Sequence, residues 1–145
     1  MTKEELIEAI RECDRYIFNK EKELSQKNAE ISEIVALRQK MRLIVSNFDL
    51  KSKENISNIV TIMSMNNTPC IIDSFCFDMF HVLIGTIYID AVKYLETSEN
   101  KILKKEKDIG DSIENIKFDI SKKQAKKREL QYKLNRMEAL SWKMA

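Results

Sequence analysis

The sequence predicts a mainly α protein, a long antiparallel two-helix coiled coil with a short β-hairpin inserted at the bend. Three observations predict it. Of 145 residues, 33% are charged, while only two are glycine and one is proline, so turns are few and elements long. Apolar residues recur at a 4-3 spacing on either side of the chain's middle. The middle itself, residues 75–90, is dense in aromatic and β-branched side chains and holds Gly85.

The first helix is expected over residues 2–64. Thr2 followed by Glu5 resembles a capping box, in which hydroxyl and carboxylate satisfy the first orphan amides. Ile10, Ile17, Leu24, Ile31 and Val45 then share one heptad position, and Leu6, Cys13, Ile34, Met41 and Phe48 share the other. A 3.5-residue repeat keeps one narrow stripe facing a partner helix. Lys20, Lys27 and Arg38 interrupt the stripe, and polar residues there fix register or partner choice. The pattern weakens over residues 46–55, where a break or an exposed turn both fit. Residues 65–69, Met-Asn-Asn-Thr-Pro, end the helix, because a proline disfavours the helical region for the residue before it.

Residues 68–90 are expected to form the hairpin. β-Branched and aromatic side chains suit a pleated surface, and Gly85 accepts positive φ where the run folds back. A lone hairpin is unstable in water, so this one requires strands from other chains. The alternative reading is an apolar helical bend, since short apolar runs do not distinguish strand from helix by period.

The second helix is expected over residues 91–142, with Asp90 as its N-cap. Its stripe runs through Leu95, Ile102, Ile109, Ile113, Ile116, Ile120, Leu130, Leu134 and Met137, with Lys123 and Lys127 leaving a polar gap. Residues 1–145 thus form one coiled-coil unit.

Composition narrows the function. The net charge of +2 gives no general attraction for nucleic acid, and the basic run 122–128 lacks interleaved aromatics. No uninterrupted apolar run of about 18 residues is present, so no membrane span is expected. The acidic, helical start does not resemble a secretory signal. Cys13, Cys70 and Cys76 are an odd set without framework spacing, which points to free thiols and the cytoplasm. His81 with Cys70 and Cys76 lacks the close pairs of a zinc site, and two glycines are too few for a phosphate cradle. No enzyme, metal or cofactor is expected.

The order helix, hairpin, helix, with Phe80-His81-Val82-Leu83-Ile84-Gly85-Thr86-Ile87-Tyr88-Ile89 at the bend, resembles a prefoldin subunit, the β-type more than the α-type. Where that family often has proline after the turn glycine, this chain has Thr86. The resemblance implies an ATP-independent hexameric chaperone whose hairpins build β-barrels and whose coil tips hold unfolded proteins for a chaperonin. Its partners would be other prefoldin-type subunits, unfolded clients and the chaperonin. Barrel contacts would then be Phe80, Val82, Ile84, Gly85, Ile87 and Ile89. The client-holding tips would be Leu6, Ile10, Met137, Leu140, Trp142 and Met144. Methionine's flexibility suits a surface that accepts many shapes. The rival reading is an all-helical hairpin interaction or scaffold protein, such as the partner of a secreted bacterial effector, without chaperone activity.

Overall fold

The computed structural model describes residues 1–65 and 69–144. They form three helices: α1 (Lys3–Met63), α2 (Cys70–Ile84) and α3 (Thr86–Met144). Most of the expected turn, residues 66–68, lies outside the described residues. Two compact units divide the chain, one made of Met1–Glu33 with Lys107–Ala145, the other of Ile34–Glu106.

In the first unit the start of α1 and the end of α3 pair antiparallel. The capping box is present: the Thr2 amide donates to Glu5 Oε2 at 2.7 Å, and the Glu5 amide donates to Thr2 Oγ1 at 3.2 Å. Leu6, Cys13, Leu130 and Leu134 form a buried cluster, with Ile7, Ala9 and Ile10 packed against it. Ile109, Ile113, Ile116 and Ile120 are buried as their spacing requires. The polar gap is bridged rather than empty. Lys127 Nζ meets Asp14 Oδ1 at 2.6 Å, and Lys123 Nζ lies 4.8 Å from the Tyr16 ring centroid. Lys3 closes the end on Glu138 at 2.9 Å, and that bond raises the lysine's pKa.

In the second unit the later part of α1 lies antiparallel to the start of α3. Helix α1 runs through residues 46–55 without a break. Ser52 explains the weak signal there: it occupies the heptad position after Phe48 and is buried despite its hydroxyl. Arg38 pairs with Glu106 and Arg42 with Glu99, while Phe48 stacks on Tyr88 with ring centroids 5.7 Å apart.

The β-hairpin is absent: among the described residues there is no strand. Residues 70–84 are helical, and the second helix starts at Thr86, so Asp90 lies inside α3 and is not its cap. The physical reason is backbone hydrogen bonding. A helix satisfies its own amides and carbonyls, whereas a two-stranded hairpin leaves edges that nothing else in this chain pairs. Pro69 opens α2 without a side-chain cap, its carbonyl accepting from the Ile72 and Asp73 amides. Gly85 does not adopt positive φ; it is extended, at φ −85° and ψ −168°. What it supplies is room. A Cβ there would come 2.4 Å from the His81 carbonyl oxygen.

Candidate functional site

Helix α2 concentrates the exposed apolar surface of the second unit. Cys76 is buried, with Phe80 and Leu83 half-buried on the same face at spacings of four and three. That face is the one α2 commits to its own unit. Ile71, Ile72, Phe75, Phe77, Val82 and Ile84 are exposed, Ile71 at 81% and Phe75 at 65%. So many large apolar side chains in water on one short helix mark an interaction surface.

The proposed barrel residues all fall here, but on helices. Phe80, Val82 and Ile84 belong to α2, Gly85 separates the helices, and Ile87 and Ile89 begin α3. Phe80 is half-buried, whereas Val82, Ile84, Ile87 and Ile89 are exposed. They cannot supply the ladder hydrogen bonds that a barrel needs, because helical bonding already uses their backbone groups.

The tip residues separate into two sets. Leu6 is 1% exposed, and Ile10 packs against the same cluster, so these two are spent in the core. Met137, Leu140, Trp142 and Met144 are exposed at the end of α3, Trp142 at 83%. Trp142 therefore does not cap the coil on Leu6. A groove of about 270 Å³ lies beside Met1, Leu6, Met137 and Leu140.

His81 meets the Phe77 ring edge-on at 4.3 Å and the Phe80 ring at 6.2 Å. Among the described residues no three His, Cys, Asp or Glu side chains are grouped to hold a metal ion. All three cysteines are free, with Cys70 exposed and Cys13 and Cys76 buried. A cleft of about 330 Å³ in the second unit is lined by Arg42, Val45, Phe48, Tyr88, Leu95 and Glu99 among others. Arg42 pairs with Glu99 there at 3.8 Å, and Asp49 and Glu96 add two further carboxylates to the lining.

One stretch bears on the membrane expectation. The helical stretch Cys70–Met144 contains an 18-residue window long and apolar enough to cross a bilayer, and 6% of that window is buried. The extended Gly85 divides that stretch, and α2 alone has 15 residues, short of the roughly 20 a helical span needs. Two further features oppose a single crossing. Asp73 and Asp78 would each cost roughly 2.5–3.5 kcal/mol near a bilayer centre. Residues 107–144 also pair with residues 3–33 inside the first unit, and one crossing between them would place those partners on opposite faces.

Sequence reasoning missed the outward stripe of α2, although Ile72, Phe75, Met79 and Val82 carried the helical spacing that reveals it. No family model matches the chain, and neither a curated protein nor a solved structure does.

Proposed function

We propose that this chain is a non-catalytic helical interaction protein, with α2 as its docking element on coiled-coil arms. One observation carries the reading: α2 leaves Ile71, Ile72, Phe75, Phe77, Val82 and Ile84 in solvent, whereas the coiled-coil arms bury Leu6, Cys13, Ile109, Ile113, Ile116, Ile120, Leu130 and Leu134. Among the described residues there is no strand to support the hairpin from which a prefoldin-type barrel would be built. This favours the all-helical scaffold reading over the chaperone subunit. The test is the native mass of the complex purified from its source, with identification of each chain. Phe75→Ser with Met79→Ser should release the partner without loss of helicity. Unchanged association in that variant would refute α2 as the docking element.

A holdase role is a second reading, favoured by Met137, Leu140, Trp142 and Met144 standing exposed at one helix end. Replacing Leu140, Trp142 and Met144 with serine should then abolish suppression of client aggregation. Suppression at the parental level would remove this reading.

A further inference from the structure

The seam that α1 and α3 share in the second unit is left open. Val45 and Phe48 on α1 and Tyr88, Val92 and Leu95 on α3 hold the apolar seam positions there, yet all five are half-buried and line one cleft. In the first unit the corresponding Ile109, Ile113, Ile116 and Ile120 are buried. The side chains account for the gap. Phe48 stacks on Tyr88 with ring centroids 5.7 Å apart, and beside that bulky pair Val45 and Val92 are too short to fill the space. What remains is the cleft of about 330 Å³, at the small end of the range for ligand sites.

Its edges select a small molecule over a helix. The α1 wall runs from Arg42 to Asp49, about 10 Å at 1.5 Å per residue. An ion pair stands at each end, Arg42 with Glu99 at 3.8 Å and Lys53 with Asp49 at 2.9 Å. A helix laid along the coil would desolvate both pairs, whereas a ligand no longer than the cleft leaves them in water.

Charge selects the ligand's sign. Arg42 and Lys53 are each matched to a carboxylate, which leaves Glu96. It lines the cleft and makes no ion pair among the described residues; Lys93, one turn before it, is outside the lining. The surplus charge is therefore negative, and the Phe48 and Tyr88 rings add π-faces, which also attract cations.

We propose that this cleft binds a small organic cation, an ammonium group on an apolar body about 10 Å long. The body lies on Val45, Phe48, Tyr88, Val92 and Leu95, and the ammonium group stands against Glu96. The site is separate from α2 and does not depend on what α2 docks.

The test uses the full chain and three probes that share one body: phenylbutylammonium, phenylbutanol and phenylbutyrate. Amide shifts in an NMR titration locate each probe and give its Kd. The ammonium probe should move residues 42–49 and 88–99 first, with a Kd of about 1 mM or below. It should bind about tenfold more tightly than the alcohol, and the carboxylate more weakly than either. Glu96→Gln should bring the ammonium probe to within about twofold of the alcohol. Ser46→Trp, a change at an exposed lining position, should fill the mouth and abolish binding of all three with helicity retained. Equal affinities for ammonium and alcohol in the parent, or a preference that survives Glu96→Gln, would overturn the cation assignment. Shifts centred on α2 or on the end of α3, no shift at about 10 mM probe, or parental binding by Ser46→Trp would overturn the site itself.

Discussion

Arg38 Nε lies 3.1 Å from Glu106 Oε2, both atoms shut away from solvent within the second unit. Neither atom has a well-aligned hydrogen bond, so the contact is one of charge and position. Arg38 interrupts the apolar stripe of α1, and Glu106 stands at the matching place on α3. An alternative register would leave each charge in the seam without its counterpart.

Arg38→Ala should therefore cost more than an exposed ion pair, about 1–3 kcal/mol, because Glu106 keeps a desolvated oxygen. Arg38→Leu combined with Glu106→Leu should recover most of that loss. Denaturant unfolding followed by circular dichroism checks both. If the single variant is neutral, the pair is not a register key.

The two glycines should respond in opposite ways. At Gly110 an added Cβ would stand 4.0 Å from Ile31 Cδ1, an ordinary contact, so Gly110→Ala should stabilise by up to about 1 kcal/mol. At Gly85 the clash is with backbone, so Gly85→Ala should force the α2–α3 joint to rearrange. Spin labels on Cys70 and an introduced cysteine at Lys93 should show a shifted distance distribution.

Thiol chemistry reports whether α2 is packed. Cys70 should react at once with an aromatic disulfide reagent, while Cys13 and Cys76 wait for unfolding. Equal rates for Cys70 and Cys76 would show that the inner face of α2 is not held.

Alkaline pH should loosen the ends. Lys3 is held above its ordinary value of 10.5 by its hydrogen bond to Glu138, and Lys53 similarly by Asp49. A raised lysine contributes stability that is fully present below 10.5 and lost as pH rises through the folded value. Amide exchange near Lys3, compared between parent and Lys3→Met, should converge above that range.

Much of this fold could be read from the residues. The Thr2–Glu5 box, the isoleucines at 109, 113, 116 and 120, and the polar interruption at Arg38 each obey local rules that the structure keeps. The errors have one cause. Ser52 and the 70–90 block both depend on what surrounds them rather than on what they are. A buried serine passes for a loop residue, and phenylalanine with isoleucine passes for a strand, unless the available partners are known. The 70–90 block, expected as strands, is helical on either side of Gly85. That turned an expected barrel edge into a helix with a face to spare.

Trp142, the sole tryptophan, stands in water at the end of α3. Its emission is consequently already that of a hydrated indole before any denaturant is added, and unfolding will hardly move it. The same property makes it a sensitive lamp: a blue shift would signal that some other molecule has settled over that extremity.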